Sequence, residues 1–271
     1  MIIVLVVIEI IGYAVAGIAY SAVRVAAADR TLNSVISHQN SLNTTFKDIN
    51  GEFSGLSGST TYNPQQARSV ADQFVANARK AGTTVDQDDA ALISASASLH
   101  DQGWLTVFDH GALDRESARI GHARRALADA RTVANDYVLD GRFLQAFLDA
   151  TNDLDALATQ TSSSDLAGAS TTLSGMKGHV DKALQLSNGP GLPADIRALL
   201  TDFETLVGDF EKLVAGYQAG DDGAVNAAAA AIQAEADKIS AYNFDRISAD
   251  IDTFYKPLVD DFNMQMGAAT A

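Results

Sequence analysis

Metal chemistry in a helical chain would show first in its histidines, and their spacing argues against it. A di-metal site in a helical bundle needs inward glutamates and paired Glu-x-x-His segments. The residues three positions before His38, His100, His110, His122 and His179 are Val35, Ala97, Val107, Arg119 and Met176, so no such segment exists. His100, His110 and His122 share a region with Asp101, Asp109 and Glu116, and a folded hairpin would bring two of them together. The simpler reading is histidines on separate turns at the edge of a core. With no cysteine, the chain has neither disulfides nor thiolate metal sites. No serine sits in a Gly-x-Ser-x-Gly elbow, and Gly175-Met176-Lys177-Gly178 is not a phosphate loop. The acidic run Asp86-Gln87-Asp88-Asp89 lacks the alternating ligands and central glycine of a calcium loop, so it reads as carboxylates complementing a helix N-terminus. No catalytic, cofactor or metal motif remains, and the expectation is a non-enzymatic protein without a cofactor, with a bundle enzyme whose site carries no recognised motif as an alternative.

Three groups keep some functional content. Arg119, Arg124, Arg125 and Arg131 form the basic cluster of the chain, either a solvated face paired with the acidic excess or a dock for an anionic ligand or partner. Tyr242, Phe244 and Tyr255 would line a pocket if they did not belong to a core. Glu9 interrupts an otherwise apolar run, where a carboxylate costs ~2.5–3.5 kcal/mol at membrane depth; it reads either as a side chain near the headgroups, reaching water or the Met1 amine, or as a contact to a neighbouring helix. Near it, Gly12 with Ala16 and Gly17 with Ser21 place a small residue every four positions, the spacing that lets two membrane helices approach closely. Glu9, Gly12, Ala16, Gly17 and Ser21 are therefore the expected face for self-association.

The element that carries these residues is the run Ile2 to Val23, which as a helix measures ~33 Å against a hydrocarbon core of ~30 Å. It reads as an uncleaved transmembrane anchor. The competing reading, a removed signal peptide ending near Val25-Ala26-Ala27-Ala28, lacks the basic n-region and has too long an apolar core. Arg24 and Arg30 flank the run on its C-terminal side, which alone would place the remainder in the cytoplasm. A short N-terminus, one span and a large Ser/Thr/Ala/Asn-rich remainder are instead the plan of a tethered, extracytoplasmic domain, and that is the expectation.

The chain has 271 residues and a net charge of −15, an acidity that argues against nucleic acid and against a polybasic lipid-binding face. Four prolines, with glycines gathered between periodic segments and alanine abundant, favour helices over strands.

Apolar periodicity then orders the chain. Leu32, Val35, Leu42, Phe46, Ile49 and Phe53, with Gln39 in the gap, form a heptad seam ending near Gly51. Asn63-Pro64 starts a short helix stopped by Gly82, and another runs from the acidic 86–89 segment through Leu92 and Leu99 to Trp104 and Phe108. A helix from Ala112 meets Asp140-Gly141, which leaves open a bend or a new helix. Asp165 caps the next, and 188–193 ends it. Ile196, Phe203, Phe210 and Tyr217 recur at sevens, and Gly220-Asp221-Asp222-Gly223 stops that helix and caps one that must turn back beside it. Pro257 should kink the last segment.

The predicted fold is all-α, with an N-terminal transmembrane helix continuing into a stalk and then a multi-helix antiparallel bundle. Its parts are an anchor (1–28), a stalk or first bundle helix (29–53), a hinge loop (54–63), a helical subbundle (64–187), a Pro/Gly linker (188–193) and a C-terminal helical hairpin (194–271). The expected function is binding, sensing or scaffolding, with membrane lipid, a second copy and an unidentified protein or small molecule as partners. In plan, with a span running directly into a bundle helix, the chain resembles the outer half of helical sensory receptors, which carry a second span and a cytoplasmic output. The apolar N-terminal helix with one glutamate resembles type IV pilins, which implies the alternative of a filament subunit; their glutamate lies nearer the terminus and their heads contain a β-sheet.

Overall fold

The computed structural model describes residues 2–57, 63–101 and 110–271, with side chains from Tyr20 onward except at 46, 49–57 and 110. The described residues form α1 (Ile2–Ser57), α2 (Pro64–His100), α3 (His110–Ser162), α4 (Leu166–Leu186), α5 (Ala194–Ala219), α6 (Asp222–Ser240) and α7 (Phe244–Thr270), with no strand among them. The described residues are all-helical in their regular structure, as the periodicity predicts.

It divides into two compact units: unit 1 is Met1–Phe46, Arg79–Ala134 and Pro257–Ala271, and unit 2 is Lys47–Ala78 and Asn135–Lys256. The divisions fall inside α1, α2, α3 and α7. Unit 1 buries Ala28, Leu32 and Val35 of α1 against Val85, Leu92 and Leu99 of α2, Leu113, Ile120 and Leu127 of α3, and Ala269 of α7. Each fully buried Leu or Ile contributes ~1.5–3 kcal/mol relative to exposure, so this seam is what holds α1 in the unit. Unit 2 buries Ala150 and Leu157 of α3, Leu173, Met176 and Val180 of α4, and Leu199, Phe203 and Val207 of α5. The turn containing 188–193 brings α5 back onto α4, and α6 returns along α5.

Helix ends follow their chemistry. Asn63 Oδ1 accepts from the Gln66 N–H at 3.0 Å, just ahead of Pro64 at the first position of α2. Asp165 caps α4 through the Gly168 N–H at 2.9 Å, and Asp221 caps α6 through the Ala224 N–H at 3.0 Å. Gly220 ends α5 in the left-handed conformation at φ 66°. These caps stand where the sequence placed them.

Other boundaries move. Gly82 does not stop a helix, and Asp86-Gln87-Asp88-Asp89 does not start one; α2 runs unbroken through both. Its buried face, Val75, Ala78, Ala81, Val85, Leu92 and Leu99, keeps one helical phase across Gly82, and that burial outweighs the ~1 kcal/mol propensity cost of a glycine. The extension expected to Trp104 and Phe108 lies outside the described residues. α1 continues past Gly51 to Ser57, so residues 54–57 of the expected hinge are helical, and 58–62 lie outside the described residues. α7 continues through Pro257.

Asp140-Gly141 likewise interrupts nothing, because α3 is continuous there. The glycine serves packing: a Cβ on Gly141 would lie 2.5 Å from Val75 Cγ2 and 2.8 Å from Phe74 Cδ1 of α2. Gly→Ala in an open helix stabilises by up to ~1 kcal/mol. Gly141→Ala is instead expected to destabilise unit 2 by roughly 1–2 kcal/mol through overpacking, read as a lowered melting temperature. A raised one would show that α2 yields freely.

Among the described residues no helix is long and apolar enough to cross a membrane. The side chains of the apolar run, through Ala19, lie outside that description.

Candidate functional site

α3 presents the arginine cluster, and the structure gives each member a partner within unit 1. Arg119 Nη1 donates to Glu116 Oε2 at 2.8 Å and to Asp29 Oδ1 at 3.1 Å, while its Nε donates to the Ala269 carbonyl at 2.8 Å. One guanidinium thus ties α3 to both α1 and α7. Glu116 is only 3% exposed, and its Oε1 is buried without a donor, so Arg119 supplies its compensating charge. Arg124 Nε donates to Asp89 Oδ1 at 2.8 Å and Arg131 Nε to Asp86 Oδ1 at 2.6 Å, joining α3 to α2. Arg125 Nε donates to Gln265 Oε1 of α7 at 3.1 Å. The geometry is that of fasteners between helices, and an anionic ligand would have to displace carboxylates from Arg119, Arg124 and Arg131 and the Gln265 amide from Arg125. The Arg124 and Arg131 pairs are partly exposed and each is worth ~0–1 kcal/mol.

The acidic run now has its explanation. Asp86 and Asp89 meet those arginines, and Asp88, buried at 4% exposure, accepts from Gln39 Nε2 at 2.9 Å and lies 2.8 Å from His38 Nδ1. Sequence reasoning missed this cluster, although the polar Gln39 in an apolar seam was a signal, since a buried amide requires a partner.

Among the described residues, each histidine side chain has its own separate partner. His100 Nδ1 lies 2.8 Å from the Ser96 carbonyl, His122 Nδ1 lies 2.8 Å from Gln265 Oε1, and His179 Nδ1 lies 2.7 Å from Asp153 Oδ2. The side chain of His110 lies outside the described residues, as does Asp109. Among the described residues no three His, Asp or Glu side chains are placed to hold a metal ion.

In unit 2 the three aromatic candidates take separate settings. Phe244 is 54% exposed, and the Tyr242 hydroxyl donates to Asp202 Oδ2 at 2.6 Å, a bond that pushes the phenol up to about 12. Tyr255 is buried. Its hydroxyl donates to Asp140 Oδ2 at 2.9 Å and lies 3.4 Å from the Pro190 carbonyl; its ring packs edge-on against Tyr137 at 5.4 Å. Burial and the neighbouring Asp136 charge, partly offset by the Tyr255 bond, raise Asp140 to about 6. A surface groove of about 270 Å³ between α4 and α5 carries Lys177 on one helix and Glu211 on the other above Leu173 and Val214.

Of the expected self-association face, Ser21 is fully buried within unit 1. Beside it the Arg24 guanidinium lies over the Tyr20 ring and pairs with the Asp101 carboxylate at 3.1 Å. Glu9, Gly12, Ala16 and Gly17 are in α1, but their side chains lie outside the described residues. No protein family, curated protein or solved structure matches the chain.

Proposed function

We propose that the chain is a non-enzymatic, single-pass membrane-anchored helical bundle that binds, senses or scaffolds a partner outside the cytoplasm. The observation carrying this reading is the continuity of α1, one helix from Ile2 to Ser57 that joins the apolar run to the buried seam at Ala28, Leu32 and Val35. Burial at Ser21 and Arg24 favours a span that ends before them, and Ile2 to Ala19 as a helix would measure ~27 Å against a hydrocarbon core of ~30 Å. A helix that leaves the bilayer and enters a core without a loop transmits displacement in either direction, which suits a sensor or a scaffold held at a fixed distance from the surface. The acidic remainder favours a protein or small-molecule partner over nucleic acid. Glu9, Gly12, Ala16 and Gly17 would serve contact with a second copy.

The test uses the full chain expressed in cells. It is expected to stay with membranes through alkaline extraction, to be released when residues 2–20 are deleted, and to be cleaved by protease added outside intact cells. Alkaline release of the full chain would end the anchor reading, and protection from external protease would reverse the orientation. Surface filaments lost on Glu9→Ala would favour the pilin-like alternative.

A further inference from the structure

On α3, Asp129, Asp136 and Asp140 stand seven and then four residues apart, which places them on one face of the helix. α7 meets that face with acceptors and a phenol. In unit 1 the Asp129 carboxyl faces Asp261 within hydrogen-bonding reach, and its Oδ2 is buried with no donor. The groups around this pair are committed: Gln265 Nε2 reaches Asp261 Oδ1 at 3.4 Å, Gln265 Oε1 takes Arg125 and His122, and Arg131 turns to Asp86. In unit 2 the Asp140 carboxyl takes the Tyr255 hydroxyl on Oδ2, while its Oδ1 is buried with no donor. Asp136, 8% exposed, and Tyr137 adjoin it on α3, Asp252 acts on Tyr137 from α7, and α2 contributes the Phe74 ring. Arg142 and Lys256 are the cations nearest in sequence.

We propose that Asp129 and Asp140 are proton-binding sites through which acidification tightens the hold of α3 on α7. Two facing carboxylates repel, whereas a carboxylic acid and a carboxylate share a hydrogen bond. Protonation of Asp140 likewise removes a buried charge whose second oxygen has no donor. Both groups are raised, Asp129 by burial and then by Asp261, and Asp140 to about 6 by burial and then by Asp136. Their folded values lie above the unfolded value, so the folded chain holds protons that the unfolded chain releases. For Asp140 the stabilisation is fully present below its unfolded value and is lost as pH rises through about 6, and Asp129 acts in the same direction. The device does not depend on the anchor reading.

The test is hydrogen exchange on the full chain in micelles, corrected for intrinsic rates, for wild type and the isosteric Asp129→Asn/Asp140→Asn double variant. In wild type the α7 amides are expected to lose roughly tenfold protection between about pH 5 and 7.5, more than those of α4 and α5. The double variant should hold the acid-state protection at both pH values. Wild-type α7 protection that changes no more than that of α4 and α5 overturns the proposal whether or not the variant folds, as does a variant whose pH response equals that of wild type.

Discussion

Arg119→Ala is expected to cost roughly 3 kcal/mol of stability, a loss out of proportion to a single surface-facing arginine. Most of that cost arises at Glu116. Its side chain is 3% exposed, Oε1 has no donor and Oε2 depends on Arg119, so truncation strands a buried carboxylate. Breaking a buried pair by removing one partner costs ~3–5 kcal/mol, and the lower end applies because the Arg119 side chain is 26% exposed. The links to Asp29 and the Ala269 carbonyl vanish with it, which should loosen α7 first. Urea unfolding of the full chain measures the loss. Adding Glu116→Gln should recover a substantial part, since the neutral amide no longer needs a cation. A loss below about 1 kcal/mol would place Arg119 among the exposed, weakly contributing pairs.

Gly191→Ala is expected to cost roughly 2–4 kcal/mol, from two sources. Gly191 sits at φ +80°, where a Cβ meets the backbone at a cost of ~1–2 kcal/mol. That Cβ would also lie 2.8 Å from Tyr255 Cε2 and 2.9 Å from its Cζ and hydroxyl oxygen. The ring cannot retreat without leaving Asp140 or Tyr137, so overpacking adds ~1–3 kcal/mol. Thermal unfolding should show a clear drop, with the α4–α5 turn and α7 affected together. An unchanged melting temperature would mean that the turn relaxes around the methyl group.

Local chemistry made much of the fold legible. The caps at Asn63, Asp165 and Asp221 and the Gly220 stop are read from side chains a few residues from the backbone groups they satisfy. The α5 pattern was equally local, although Tyr217, the last of its sevens, is 50% exposed because the buried stripe gives way near the helix end. Gly82 misled and Gly141 left the choice open for one reason: a glycine is a stop signal only when tertiary burial does not outweigh its propensity, and at Gly141 the missing Cβ is itself what lets α2 approach. Asp86, Asp88 and Asp89 were legible as charges but not as partners, because what they meet comes from α1 and α3. Asp140 and Tyr255 are 115 residues apart, and no spacing rule joins them. The arginine cluster was visible, and its commitment to partners on neighbouring helices follows only once those helices are placed side by side.

The absence of cysteine allows a clean single-cysteine scan along α1 from Ile3 to Ser37, with a membrane-impermeant maleimide applied to the full chain in liposomes. An anchor predicts no labelling from Ile3 to about Tyr20, and beyond it labelling that recurs with the ~3.6-residue period of the helix. Exposed Ala26, Ala27, Arg30, Asn33 and Ser34 should react, while buried Ala28, Leu32 and Val35 should not. Labelling of the Ile3–Tyr20 positions at the rate of Asn33 would contradict membrane anchoring.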